Sequence, residues 1–107
     1  MAHYMYQAAF TSDAWATLAK NPQDRTEAVR TLIEGVGGKL ISYHFAFGEY
    51  DIVVMAELPD NVSAAAGAIA VAVGGAVKAV KTTPLFSVRE GVEAMRKAGQ
   101  VNYQPPS

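Results

Sequence analysis

The chain has 107 residues, which is enough for one domain and too few for two. Nine lysines and arginines against ten aspartates and glutamates give a formal charge of −1, which excludes a nucleic-acid binder driven by clustered basic charge. Because there is no cysteine, disulfides, thiolate metal sites and cysteine nucleophiles are excluded too. The two histidines, His3 and His44, lie far apart in the sequence, and we expect no metal site within one subunit and no cofactor.

Two segments bear on where the protein works. Residues 1–10 lack the basic start and long apolar run of a signal peptide. Residues 61–77 are uncharged, but they are short and rich in Ala and Gly, so we expect a buried helix there instead of a membrane span. The sequence therefore predicts a cytoplasmic protein that has no membrane partner.

The N-terminal third predicts a strand followed by helix. Residues 3–10 are aromatic and apolar and indicate the first strand. Ser12 is the expected N-cap of a helix that runs through Ala19. Asn21-Pro22 then interrupts the helical pattern, and a second helical stripe follows that ends at Gly37-Gly38. The sequence leaves open whether this region is one kinked helix or two. The stripe consists of Val29, Leu32, Ile33 and Val36.

Residues 39–58 predict a β-hairpin. Two strand-like runs flank Gly48-Glu49, and glycine in the first central position is typical of a type II′ turn. That turn pairs Ser42 with Met55 and separates two faces. One face, to be covered by helices, carries Ile41, Tyr43, Phe45 and Phe47 opposite Ala56, Val54, Ile52 and Tyr50. The other, mixed face carries Leu40, Ser42, His44 and Ala46 opposite Glu57, Met55, Val53 and Asp51.

The C-terminal half predicts helix, strand and helix. Asp60 or Asn61 caps an Ala-rich helix that ends at Gly74-Gly75. Residues 77–88 form a last strand, which Pro84 assigns to a sheet edge. Ser87 and Glu90 form a capping box for a C-terminal helix that ends at Gly99 and whose apolar stripe is Val88, Val92 and Met95. We therefore expect one domain over 1–99 and a C-terminal tail over 100–107.

The order of these elements, βαββαβ with a trailing helix, predicts a ferredoxin-like α+β fold with an antiparallel sheet. Both crossover helices then cover one face of the sheet. The opposite face, with Leu40, Val53 and Met55, is too apolar to remain in water. We expect a second copy to cover it, which gives a homodimeric α/β barrel or a higher homo-oligomer.

The hairpin also carries a family resemblance. Gly48, Tyr50 and Asp51 in FGEYDIVV, followed by ELPDN at 57–61, resemble the GYD domain family of small bacterial proteins. The stretches NPQDRTEAVRTLIEGVGGKL and GGAVKAVKTTPLFSV resemble it as well, so the similarity runs from the first strand to about Ala98. The resemblance implies a ferredoxin-like, dimeric α/β-barrel protein. It implies no activity, because the family has no established function.

Two sets of residues could carry chemistry. In the predicted register His44 and Asp51 are diagonal neighbours, and an imidazole held by a carboxylate is a usable general base. The structural alternative is that Asp51 fixes the hairpin and His44 is an interface residue. Tyrosine hydroxyls around an apolar space suit an aromatic or quinone-like ligand, although simple core filling explains the same residues. The candidates for this ligand site are Tyr4, Tyr6, Trp15, Tyr43 and Tyr50.

Three hypotheses about function follow. The first is a small-molecule-binding protein, which would be a cofactor-free enzyme if it also acts on its small aromatic or quinone-like metabolite. The second is a non-catalytic oligomeric assembly or effector-sensing module. The third is a metal or haem site built across a dimer from His3 and His44.

Gly48 is expected to be structural, since its turn needs a positive φ. Arg25 is expected on a solvated helix face. The sequence leaves the existence of an enzymatic activity open.

Overall fold

The computed structural model describes residues 1–107 as one four-stranded antiparallel sheet and four helices. The elements in chain order are β1 (Ala2–Phe10), α1 (Ser12–Lys20), α2 (Thr26–Gly35), β2 (Lys39–Phe45), β3 (Ile52–Leu58), α3 (Asn61–Val73), β4 (Val77–Leu85) and α4 (Val88–Gly99). The strand order is β2-β3-β1-β4. The predicted ferredoxin-like α+β fold is confirmed, and β4 with Pro84 is an edge strand.

The core lies between the sheet and the helices α2 and α3. Burial alternates along β3, where the even-numbered residues are buried and the odd-numbered ones are half-buried, as in a sheet that helices cover on one face only. Leu58, the last residue of β3, is fully buried. The buried cluster consists of Tyr4, Tyr6, Ile33, Val54, Ala56, Leu58 and Ala64. The odd-numbered face of β3 has no helix against it.

The region around Pro22 separates two helices. Thr11 is the N-cap of α1, because its side-chain oxygen accepts a hydrogen bond from the Ala14 amide at 3.1 Å. The cap therefore lies one residue before the predicted Ser12. α1 ends at Lys20 and α2 begins at Thr26, which decides the question that the sequence left open in favour of two helices.

The hairpin keeps most of its predicted register. Ser42 pairs with Met55 and Phe45 with Ile52, as the turn requires. The strands end at Phe45 and Ile52, so the connection is wider than the predicted two-residue turn. Gly48 has a φ of +127°, which is the backbone region that favours glycine.

The predicted place of Leu40 is wrong. A register shift between Leu40 and Ser42 pairs Leu40 with Ala56 instead of Glu57. The extra residue at the bulge exchanges the two faces for the part of β2 that precedes it, and Leu40 therefore packs against the buried cluster. Physically, the bulge moves one large apolar side chain from the uncovered face into the core. Val53 and Met55 remain on the uncovered face, half-buried.

The C-terminal helix α4 stands apart from this layered body. None of its residues is buried, and its capping box between Ser87 and Glu90 is present as predicted. The radius of gyration is 17.1 Å, whereas a compact chain of this length has a value near 13 Å. The molecule is elongated, 57 × 35 × 22 Å, because α4 and the irregular residues 101–107 add length without adding to the core.

Candidate functional site

A cleft of about 600 Å³ lies between the helices and one end of the sheet. Its walls come from α1, α2 and the C-terminal end of α3. Its floor comes from the sheet and includes Phe10, Tyr43 and Ile52. Small-molecule sites in proteins are clefts of roughly 300–1,000 Å³ that are mainly apolar and carry a few polar groups. This cleft has that size and that composition.

A smaller cavity continues the cleft towards the core. It has a volume of about 50 Å³ and an almost wholly apolar lining. Val29, Leu32 and Val71 line both the cleft and this cavity. An apolar group that enters the cleft therefore has an apolar space ahead of it, in which the buried ring of Tyr6 forms part of the wall.

Polar side chains lie around the cleft, chiefly on α1 and at the start of α2. Arg25, at the N-cap of α2, forms no ion pair within the chain. The phenol of Tyr43 lies close enough to respond to Arg25: burial raises the pKa of Tyr43 above its ordinary value, and the positive charge of Arg25 acts against that rise. Tyr43 is therefore a neutral hydrogen-bond donor at ordinary pH. Asp13, Thr17 and Gln23 also line the cleft.

The five aromatic residues named from the sequence lie in different places. Tyr43 lines the cleft, and Tyr6 lines the small inner cavity. Tyr4 is buried and its hydroxyl donates to Asn61 Oδ1 at 2.6 Å. Trp15 packs edge-on against Phe10 with ring centroids 5.1 Å apart, so it contacts a residue of the cleft floor without lining the cleft itself. Tyr50 is half-buried in the hairpin connection.

Tyr6 is held as a neutral phenol. Its hydroxyl donates to the carbonyl oxygen of Ala64 in α3 at 2.7 Å. Burial, assisted by the neighbouring Tyr4, raises the pKa of Tyr6 to about 12. The hydroxyl is thus committed to the backbone of α3, and what Tyr6 offers to the inner cavity is its apolar ring.

Asp51 and His44 lie beside each other in the hairpin but make different contacts. The Asp51 carboxylate accepts a hydrogen bond from the Phe10 amide at 2.8 Å, and the Asp51 amide donates to the Ala8 carbonyl at 2.8 Å. Asp51 therefore ties the hairpin to the end of β1. His44 is exposed and pairs with Val53 on the uncovered face. The catalytic role of this pair stays a prediction.

His3 lies at the other end of the uncovered face. Its Nε2 atom is 3.4 Å from Glu57 Oε1. The structure contains no group of three or more histidine, aspartate or glutamate side chains arranged to hold a metal ion. It also contains no helix that is both long and apolar enough to cross a membrane.

A family model describes most of this molecule. The model of the GYD domain matches residues 4–95, which include most of β1, strands β2–β4 and helices α1–α3. The chain belongs to the GYD domain family. The resemblance based on the hairpin is thereby confirmed, and in this GYD domain Tyr50 and Asp51 lie where β2 connects to β3.

Solved structures share the fold of this GYD domain at low sequence identity. The 30S ribosomal protein S6 of Thermotoga maritima is 18% identical with a TM-score of 0.58, over 92% of this chain and 98% of that one. The protein MtbAldR is 15% identical with a TM-score of 0.52, over 80% of this chain. This chain spans about half of that protein, 52% of its length. A search of curated protein sequences finds no match.

Several residues that line the cleft were not predicted from the sequence as site residues. Arg25, Val29 and Leu32 follow helical spacing and share one face of α2. That spacing gives no sign that α1 stands away from α2 and leaves this face open. The signal that could have found the cleft is the break at Asn21-Pro22, since a break between two helices allows them to diverge.

Proposed function

We propose that this GYD domain binds a small, largely apolar molecule, aromatic or quinone-like, in the cleft between α1 and α2. The observation that carries the proposal is the continuity of the cleft with the inner cavity, joined through Val29, Leu32 and Val71. A flat ring system can lie over Phe10 and Ile52 while a smaller apolar group reaches inwards. The mouth supplies Arg25 and the neutral phenol of Tyr43 for a carbonyl, hydroxyl or carboxylate group of the ligand.

Binding, not catalysis, is the function that these contacts support. The Asp51 carboxylate is engaged with the backbone of Phe10. His44 lies with Val53 on the uncovered face, whereas the cleft lies on the helix-covered face with Tyr43 and Ile52. The histidine and the cleft are therefore on opposite sides of the sheet, and a ligand in the cleft does not meet the imidazole.

The cleft can be tested with two aromatic probes of equal size, 2-naphthoate and 2-naphthol. Trp15 is the single tryptophan of the chain, and it stacks on Phe10 in the cleft floor. We expect saturable quenching of Trp15 fluorescence by at least one probe. Backbone amide shifts should cluster at Val29, Leu32 and Val71 in NMR spectra.

A variant that narrows the cleft provides the control. Ala28 lines the cleft from α2, so Ala28→Phe should abolish binding. Ala65 is an exposed alanine of α3 outside the cleft, and Ala65→Phe should bind as the wild type does. Equal loss in both variants, or no saturable binding of either probe to the wild type, would disprove the proposal.

We also propose that the domain works as a homodimer in which the uncovered faces of two sheets pack together. Met5, Val53 and Met55 are half-buried on that face, where no helix covers them. An apolar sheet face of this kind is typical of a surface that a partner covers. Sedimentation equilibrium should show a dimer that Met55→Glu converts to a folded monomer. A wild-type protein that is a monomer would exclude the proposed homodimer.

The cytoplasmic location stays a prediction.

A further inference from the structure

One end of the cleft carries a cation that has no partner in the chain. Arg25, at the N-cap of α2, lines the cleft. Its side chain forms neither an ion pair nor a hydrogen bond. The other arginine of α2 differs, since Arg30 Nη1 lies 3.6 Å from Glu27 Oε1 and Arg30 does not line the cleft. One arginine of this helix is thus compensated within the chain, and the one at the cleft is free.

We propose that the ligand of the cleft is an aromatic monocarboxylic acid, whose carboxylate binds Arg25 while its ring system lies along α2 towards the inner cavity. The inference rests on the binding function proposed above. It selects one of the three polar groups, carbonyl, hydroxyl and carboxylate, that suit the mouth of the cleft. Arg25 is then the residue that determines which ligands bind.

The acidic residue next to Arg25 does not take its place as a ligand. The Thr26 amide donates to Asp24 Oδ1 at 2.8 Å, and the Thr26 hydroxyl donates to the same oxygen. These hydrogen bonds lower the pKa of Asp24 and hold its carboxylate in the turn before α2. Asp24 is exposed and outside the cleft lining, so water screens it. The charge that faces a ligand at this end is therefore that of Arg25.

The acidic residue of the lining, Asp13, lies at the other end of the cleft. It is in the first turn of α1, which begins two residues after Phe10. In the sheet register Tyr43 is level with Tyr6 and two strands away from it, and Phe10 is four residues further along β1. The Cα atoms of Tyr43 and Phe10 are therefore about 16 Å apart. A carboxylate bound beside Tyr43 is remote from the Asp13 carboxylate.

Tyr43 supplies a second donor near Arg25. Its hydroxyl makes no hydrogen bond within the chain. Burial raises the pKa of Tyr43, the charge of Arg25 acts against this rise, and the charge of Asp24 adds to it. The phenol therefore keeps its proton at ordinary pH and lies within electrostatic reach of the guanidinium. A carboxylate can accept from the guanidinium and the phenol together, whereas a neutral carbonyl or hydroxyl lacks the charge that strengthens such hydrogen bonds.

The spacing along α2 sets the length of the ligand. Arg25, Val29 and Leu32 follow one another at intervals of four and three residues, so they share one side of the helix. The helical rise puts Val29 about 6 Å and Leu32 about 10 Å from Arg25 along the axis. Val29 and Leu32 line both the cleft and the inner cavity. The ligand therefore has its carboxylate at one end of an apolar body about the size of two fused rings.

One free cation fits one negative charge. The cleft lining contains no lysine and no arginine other than Arg25. A phosphate monoester carries about −1.5 to −2 at neutral pH, so part of its charge would stay uncompensated beside Asp24. A carboxylate is neutralised by one guanidinium, whose planar fork binds both of its oxygen atoms. The cleft therefore favours a monocarboxylate over a phosphate ester.

The probes 2-naphthoate and 2-naphthol isolate the charge of Arg25, because they carry a carboxylate and a hydroxyl on the same ring system. We expect Arg25→Met to weaken the binding of 2-naphthoate about tenfold and to leave that of 2-naphthol unchanged. Arg25→Lys keeps the charge without the fork and should restore part of the affinity. Added sodium chloride should weaken the binding of 2-naphthoate only.

Arg30→Met is the matched control. It removes a charge from the same helix outside the cleft, so both probes should bind this variant as they bind the wild type. An equal loss of 2-naphthoate affinity in Arg30→Met and Arg25→Met would overturn the inference, since it would show an effect of net charge alone.

The remaining outcomes separate this inference from the proposed binding function. If neither probe binds the wild type, both are wrong. If 2-naphthol binds but 2-naphthoate does not, the cleft takes neutral rings and the carboxylate ligand is wrong. If Arg25→Met leaves both affinities unchanged, or lowers both equally, the binding function stands and Arg25 does not recognise the charge of the ligand.

Discussion

The two crossover helices α2 and α3 cover the same face of the sheet in different ways. α3 packs closely, since Ala64 and Gly67 are buried, and a Cβ atom at Gly67 would lie only 3.1 Å from the Tyr6 hydroxyl. α2 presents the larger Val29 and Leu32, and beside it the α1 side of the layer opens into the cleft. The comparison teaches that small residues bring a helix close to a sheet, and that larger ones next to a chain break leave a space for a ligand.

The largest expected effect tests whether the closely packed part of the core contributes more to the stability than the part beside the cleft. Leu58 is fully buried, and Leu58→Ala should lower the free energy of unfolding by about 4 kcal/mol. Leu32 is half-buried beside the cleft, so Leu32→Ala should cost about 1 kcal/mol. Urea unfolding measures both. Equal losses of unfolding free energy in the two variants would show that the surroundings of Leu58 and Leu32 are packed alike.

The next prediction concerns the closely packed junction between α2 and β2. A Cβ atom at Gly38 would lie 2.5 Å from the Glu57 carbonyl oxygen and would also overlap Leu58 Cδ2. Because a backbone atom cannot move aside cheaply, Gly38→Ala should destabilise by about 3 kcal/mol. Gly35 has no atom within 4 Å of the equivalent position, and Gly35→Ala serves as the matched control in thermal denaturation. Tolerance of alanine at Gly38 would contradict the packing described.

Asp51 gives an intermediate effect that separates a structural role from a catalytic one. Asp51→Ala removes the acceptor of the Phe10 amide at the end of β1, so we expect a loss of about 1.5 kcal/mol. His44→Ala removes an exposed side chain and should leave stability unchanged. Should Asp51→Ala unfold at the same denaturant concentration as the wild type, the hydrogen bond does not hold the hairpin.

The smallest effect concerns the contact of β1 with α3. Tyr6→Phe removes the hydrogen bond to the Ala64 carbonyl and should cost about 1 kcal/mol at neutral pH.

The same phenol adds a pH dependence to the unfolding of the wild type. Because the folded protein raises the pKa of Tyr6 from 10.0 to about 12, the unfolded chain loses this proton first. The stability contributed by the neutral phenol is therefore complete below pH 10 and is lost as the pH rises towards 12. Over this pH range, the free energy of unfolding should fall less for Tyr6→Phe than for the wild type. An identical decline in both would show that the phenol of Tyr6 is not shielded.

The order of the elements could be predicted because local signals are strong in this chain. The Gly74 end of α3 and the capping box at Ser87 lie where the sequence placed them, and the cap of α3 is Asp60, one of the two residues that the sequence offered. The hairpin register was predicted from Gly48 as far as Ser42. The bulge at Ile41 was not, because it depends on whether Leu40 finds room in the core, and that room is made by α2 and by residues distant in sequence.

The ligand site shows the limit of the same reasoning. Tyr4, Tyr6 and Tyr43 lie on strands as predicted, whereas Tyr50 lies in the connection before β3. Of the five aromatic candidates, only Tyr43 lines the large cleft. The hydroxyls of Tyr4 and Tyr6 donate hydrogen bonds to Asn61 and Ala64, which are 57 and 58 positions away in the sequence. Such contacts follow from the docking of α3 and have no trace in local spacing.

The amino-acid sequence by itself determined the succession of strands and helices, their caps and the two faces of the sheet, because these depend on interactions between residues a few positions apart. Only the tertiary structure decided where the helical layer is closed and where it is open, which side of the sheet Leu40 occupies, and that α4 has no partner in its own chain. These features depend on how bulky side chains from distant segments share one space, and that competition is settled only when the elements pack.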